Sequence, residues 1–167
     1  LGVPEDDMLA VQSNLANTYA MLGQRDKAMR IERDIYSANL KLHGEENRET
    51  LTACNNYATS LFDAGRYAEM KSELRKMIPV ARRVLVESDE IALKLRSIYA
   101  AVVCVDDAGS TLDDVREAVT TYEELERISR RVLGGAHPLT GSIERHRRKA
   151  RATLLRRACD ETSPGRK

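Results

Sequence analysis

The sequence predicts an all-α chain, an α-α superhelix of about seven antiparallel helices forming a repeat solenoid in a single domain. Three observations predict it. Gly23, Gly44 and Gly65 fall at a constant spacing of 21 residues. Sliding the chain against itself by 42 residues lays Asn14, Leu15, Ala16 and Gly23 over Asn56, Tyr57, Ala58 and Gly65. Only seven residues are aromatic and none is tryptophan, so the core must be built from small and aliphatic side chains, which suits closely packed helices better than a β-sandwich. Apolar content of 42% against 32% charged residues fits a globular chain and excludes a disordered one.

The elements follow in order. Leu9, Leu15, Ala16, Tyr19 and Leu22 mark one face of a first helix, near 7–22. Gly23 can take the left-handed conformation that ends it, and Asp26 can cap the next helix, near 26–42, whose stripe is Ala28, Ile31, Ile35 and Leu42. Gly44 breaks the chain again before a third helix at 48–64. Gly65 separates that one from a fourth at 67–85. Pro79 interrupts an otherwise helical pattern in the fourth, which predicts a kink near Met77. A further step of 42 residues places Ile98, Tyr99 and Ala100 in a fifth helix, 89–105. The register then slips by about six residues at V-D-D-A-G-S-T-L-D-D, and a sixth helix follows at 112–133, with Thr111 and Asp114 spaced as a cap. Beyond the insertion the offset is a constant 90, so that Ala28 meets Ala118, Gly44 meets Gly134 and Thr50 meets Thr140. Pro138 opens a seventh helix, 139–158. The repeats read as 7–47, 48–88 and 89–137, followed by a capping helix at 138–158 and a frayed tail at 159–167.

These residues resemble the tetratricopeptide repeat. Leu15, Ala16, Tyr19, Gly23 and Ala28 carry the pattern in the first copy, and Tyr57, Ala58, Leu61, Gly65 and Tyr67 in the second, where Met70 replaces the small alanine. Tyr99, Ala100, Val103 and Ala118 carry it in the third. The 42-residue period and the V-L-G-G-A-H-P-L-T junction resemble the long-helix subclass of kinesin light chains. The resemblance covers about residues 7 to 150. It implies a protein-interaction scaffold, with a partner peptide lying along the surface formed by the first helix of each pair. In such scaffolds an asparagine before the Leu-Ala position often holds the partner's backbone. Here that position is Asn14, Asn56, Ile98 and then His146, so a two-rung ladder loses its third rung. The implied groove set is Asn14, Asn17, Met21, Asn55, Asn56, Thr59, Phe62 and Asp63, with Ser13 beside it.

The net charge of +1 hides an asymmetry: from residue 139 onward nine basic residues meet three acidic ones, while the first 138 carry 18 against 23. Arg145, Arg147, Arg148, Lys149 and Arg151 form a basic patch around the apolar stripe of the last helix. That patch fits a solvating cap, or docking to an acidic partner. The alternative function is an electrostatic adaptor for nucleic acid or an acidic membrane surface. No aromatic residues interleave the basic ones, which argues against specific single-strand recognition.

Chemistry is poorly represented, and an enzyme, a small-molecule substrate and a cofactor are not expected. Asp106 to Glu117 has the acid ends of a calcium loop, but Ala108 and Thr111 occupy positions that need a ligand and a glycine. His43, His137 and His146 lack metal-ligand spacing, and no metal site is expected. No nucleophile elbow or phosphate loop is present. Three scattered cysteines suggest a reducing compartment, cytoplasmic or similar. No apolar run approaches the roughly 18 residues that span a bilayer. The start at Leu1 rather than Met fits a piece of a longer protein.

Overall fold

The computed structural model describes the backbone of residues 5–162 and the side chains of residues 8–161. Seven α-helices account for nearly all of it: α1 (Glu5–Met21), α2 (Arg25–His43), α3 (Arg48–Asp63), α4 (Tyr67–Val84), α5 (Glu90–Val105), α6 (Leu112–Val132) and α7 (Pro138–Thr162). The chain divides into two compact units, one ending at Leu85 and the other beginning at Val86.

In the first unit, α1 packs on α2, α2 on α3 and α3 on α4. The connections are short, so neighbours run antiparallel. The two turns that lie 42 residues apart are built alike. At the first, the Gly23 amide donates to Ala20 O (3.0 Å) and the Gln24 amide to Tyr19 O (2.9 Å). At the second, the Gly65 amide donates to Phe62 O (3.0 Å) and the Arg66 amide to Leu61 O (2.9 Å). Both are Schellman stops, and both glycines sit at positive φ, 74° and 72°, where a side chain would strain the backbone.

Asp26 does not cap α2. The Gly23 turn is so tight that the helix already begins at Arg25, and its N-cap, Gln24, makes no side-chain bond. Asp26 lies inside the first turn, where its charge still favours the helix dipole. Asn47 caps α3 by accepting from the Glu49 amide at 2.7 Å. Pro79 withdraws one amide from the α4 ladder yet lies inside the helix, which continues to Val84. Leu51, Cys54, Leu61, Met70 and Leu74 are fully buried.

The second unit packs α5 on α6, α6 on α7 and α5 on α7. Its core joins Leu93, Ala100 and Val103 of α5 to Val115, Tyr122, Leu125 and Ile128 of α6 and to Ile143 and Ala150 of α7. The expected cap of α6 forms as a full capping box. Thr111 Oγ1 accepts from the Asp114 amide at 3.1 Å, and the Asp114 carboxylate accepts from the Thr111 amide at 2.7 Å. The last helix is longer than expected, reaching Thr162 rather than residue 158. Its final turns are held by Arg157, which donates to Ser110 O at 2.9 Å and pairs with Asp107, and by Arg156, which pairs with Asp107 at 3.2 Å. The remainder of the expected tail, 163–167, lies outside the described residues.

Candidate functional site

Helices α1, α2 and α3 enclose a cleft of about 570 Å³ in the first unit. Its polar lining is Ser13 and Asn14 from α1, Asn39 from α2, and Glu49, Thr52 and Asn56 from α3; Leu9, Ala10, Ile35 and Ala53 supply the apolar part. The two asparagines that align at the 42-residue offset thus line one cleft, Asn14 exposed and Asn56 half-buried. Helical spacing explains why they share it. Leu9 and Ser13, and Ala10 and Asn14, lie one turn apart along α1, as Glu49, the Thr52–Ala53 pair and Asn56 do along α3.

The remaining sequence-nominated residues are distributed around this cleft rather than in it. Asn17 is exposed and Asn55 half-buried, and the Thr59 hydroxyl donates to Asn55 O at 2.9 Å. Phe62 turns against the Tyr67 ring, 5.7 Å between centroids. Met21 stands 90% exposed at the end of α1. Asp63 lines a separate depression at the α1–α2 turn, with Gln24, Arg25 and Lys27. Ile98, at the third rung, is half-buried in α5 of the second unit.

Two residues that sequence reasoning passed over matter here. Asn39 is buried on α2, and its Nδ2 donates to Ile35 O at 3.0 Å. Glu32, two turns earlier, is only 3% exposed. The Ser13 hydroxyl donates to its carboxylate, while Oε2 has no hydrogen-bond partner among the described residues. Burial pushes the Glu32 carboxyl up to about 7, and the Ser13 bond only partly opposes that. The sequence carried only a weak hint of either: Glu32 follows Ile31 directly and Asn39 lies one turn after Ile35, as a surface residue of an amphipathic helix also would.

The basic patch resolves into two groups. Arg147 pairs with Glu126, and Arg151 with Glu123 at 2.5 Å, both across the α6–α7 seam. Arg130 of α6 returns the favour to Glu144 of α7 at 2.5 Å. Arg145, Arg148 and Lys149 are exposed on the outer side of α7. His146 lies half-buried against Tyr122, ring centroids 6.0 Å apart, and desolvation, then Lys149 and Arg145, lowers its pKa. Cys54 is buried and its thiol is pushed up to about 12 by desolvation; Cys104 is pushed to about 11 for the same reason. Burial therefore holds both thiols protonated near neutral pH. Among the described residues no three His, Cys, Asp or Glu side chains converge as metal ligands, and no helix is long and apolar enough to cross a membrane.

Residues 8–49, which span α1, α2 and the turn into α3, match the tetratricopeptide repeat family. The whole chain superposes on the nearly identical TPR-like repeats of a Podosopora anserina protein assigned as a kinesin light chain, with a TM-score of 0.56 at 16% identity over 98% of this chain and 100% of that one. The chain has a tetratricopeptide-repeat fold. A second structure of the Podosopora anserina repeats gives a TM-score of 0.55 at 16% identity, covering 96% of this chain and 93% of that one. BtubC (BKLC) from P. vanneervenii gives 0.65 at 16% identity, over 97% of this chain and 66% of its own. No curated protein matches the chain by sequence. The repeat fold and its kinesin light chain-like neighbours agree with the 42-residue period.

Proposed function

We propose that this repeat protein is a protein-interaction scaffold whose first unit holds an extended partner segment in the α1–α2–α3 cleft. The observation that carries the reading is the pairing of Asn14 and Asn56, one repeat apart, along a cleft that also offers Ser13, Asn39 and Thr52. A primary amide donates and accepts at once, so two of them on neighbouring first helices can satisfy a peptide unit's N–H and C=O without regard to its side chains. Leu9, Ile35 and Ala53 give the same segment an apolar seat. Asn17, Asn55 and Thr59 would extend the polar surface on the same two helices, while Met21, Phe62 and Asp63 stand apart from the cleft lining. The lining's lone formal charge, Glu49, suits a neutral or basic segment better than an acidic one.

Tetratricopeptide-type repeats are generally protein-protein interaction scaffolds. Three free thiols, two of them shielded, fit a reducing compartment. The electrostatic alternative rests on Arg145, Arg148 and Lys149, because Arg147 and Arg151 are engaged by α6 carboxylates.

The test is the double substitution Asn14→Ala with Asn56→Ala. Both side chains are at least partly solvated, so the thermal midpoint should move little. Capture of a partner, found by pull-down with the intact chain and measured by calorimetry, should weaken by about tenfold or more, as expected when two peptide hydrogen bonds are lost. Undiminished affinity would remove the cleft from the reading, and capture abolished only by changes at Arg145, Arg148 and Lys149 would favour the electrostatic one.

A further inference from the structure

Helix α1 carries an apolar stripe that nothing covers among the described residues. Met8, Val11 and Leu15, spaced to lie on one face, are 49%, 67% and 46% exposed, and the helix packs on α2 through its other side, where Ala16 is 1% exposed. The repeat itself says what such a face is for. Moved by 42 residues, these positions become Thr50, Ala53 and Tyr57 of α3, at 0%, 4% and 4% exposure. There the cover is the preceding second-type helix, α2. Tyr36 stacks on Tyr57 with centroids 6.0 Å apart, and Thr50 Oγ1 donates to Asn39 O at 3.2 Å. In the second unit the same frame gives Thr140 and Ile143 of α7, both at 0%, in contact with the second-type helix α6.

We propose that the Met8–Val11–Leu15 stripe is a stacking seat for the second helix of one further repeat unit, placed ahead of α1 as α2 is placed ahead of α3. The chemistry of the occupant follows from the differences between the two seats. Met8 stands where Thr50 bonds a backbone carbonyl, and Leu15 stands where Tyr57 stacks on a ring. The seat on α1 therefore offers no hydrogen bond and no aromatic face, and selects an amphipathic helix with aliphatic residues where α2 has Tyr36 and Asn39. The seam faces of α2 and α6 are already taken by α3 and α7, so the seat calls for a helix beyond those two. This inference is independent of the cleft, whose lining includes none of Met8, Val11 and Leu15.

The test supplies such a helix in its natural register. Residues 25–47, which are α2 and its following turn, are fused directly ahead of Asp6, the position equivalent to Arg48, with Tyr36→Leu and Asn39→Leu in the added copy alone so that it carries the aliphatic face the seat selects. Hydrogen exchange and circular dichroism are then compared for the fused and the unaltered chain. The expected result is that the added 19-residue helix becomes protected from exchange and the thermal midpoint of the first unit rises by about 5 °C. Val11→Glu with Leu15→Glu should return the added segment to free exchange, while the same pair in the unaltered chain should leave its melting unchanged, since both sites are solvated there. Three outcomes would overturn the proposal: an added helix that exchanges freely, one that stays protected despite the two glutamates, or an unaltered chain that dimerises in sedimentation until those glutamates are introduced. The last would make a second copy the occupant.

Discussion

The α2–α3 seam of the first unit and the α6–α7 seam of the second occupy the same place in the repeat and are held by different forces. At an offset of 90, Thr50 becomes Thr140, Ala53 becomes Ile143, Asn56 becomes His146 and Tyr57 becomes Arg147. In the first unit Tyr57 stacks on Tyr36 and its phenol donates to Glu69 Oε1 at 2.5 Å. In the second, Arg147 pairs with Glu126, Arg151 with Glu123 and Arg130 with Glu144, in a row along the two helices. The frame fixes which positions face one another and leaves the interaction open. One seam is neutral and aromatic, the other ionic, and the first unit presents Asn14 and Asn56 to a cleft while the second spends its charges on itself.

The largest expected effect attacks the neutral seam. Tyr57 is 4% exposed, and Tyr57→Ala removes a buried ring, its stacking partner's contact and a hydrogen bond at once. A loss of about 3–4 kcal/mol is expected, read as earlier exchange of α2 and α3 amides in a urea series. Tyr57→Phe keeps the ring and should cost only about 1 kcal/mol. Were the two substitutions to cost the same, the hydrogen bond to Glu69 of α4, rather than aromatic packing across the α2–α3 seam, would be what Tyr57 contributes.

A smaller effect isolates the buried carboxyl on which the first unit depends. Glu32 ionises near 4.5 when unfolded but holds its proton to about 7 when folded. Between those values the folded state binds more protons, so this residue's contribution favours folding at pH 5 and is lost as pH rises through 7. Glu32→Gln, which mimics the protonated form, should leave stability near pH 5 about unchanged and raise it at pH 8 by roughly 2 kcal/mol. Denaturant midpoints across that range check it. Equal slopes for the two proteins would mean that Glu32 is charged and solvated in the folded state.

How much of this was legible beforehand differs between the two seams. Helix identities, the glycine stops and the Thr111 cap followed from local chemistry, because a Schellman turn or a capping box is written within six consecutive residues. The alignment of Asn14 with Asn56 was legible from the period alone, and so was the failure of the third rung at Ile98. What the period could not tell is which polar side chains turn inward. Glu32 and Asn39 are ordinary helix-surface residues by composition, and their burial depends on where α1 and α3 lie across α2. Phe62 and Met21 were assigned to the groove by position, yet one packs on Tyr67 and the other projects into solvent at the end of α1, since side-chain direction at a helix end is set by the following turn. The arginines of α7 were read as a single patch because their acidic partners lie 21 and 28 residues earlier, beyond any local pattern.

The smallest effect separates the two seams by salt. Glu126 is 16% exposed and serves both Arg147 and Arg130, the latter at 3.2 Å, so Glu126→Gln removes the centre of the ionic row. Because these groups are partly solvated, the cost should be only about 1 kcal/mol at low ionic strength. It should fall as salt rises, since the Debye length shrinks from about 10 Å at 0.1 M to about 3 Å at 1 M. In the unaltered protein the same titration should loosen α6 and α7 while leaving α2 and α3 unmoved, because Tyr36 and Tyr57 present no charge to screen. Exchange protection of α6 and α7 that held as salt rose would show that the row of arginines contributes packing through its long stems rather than charge.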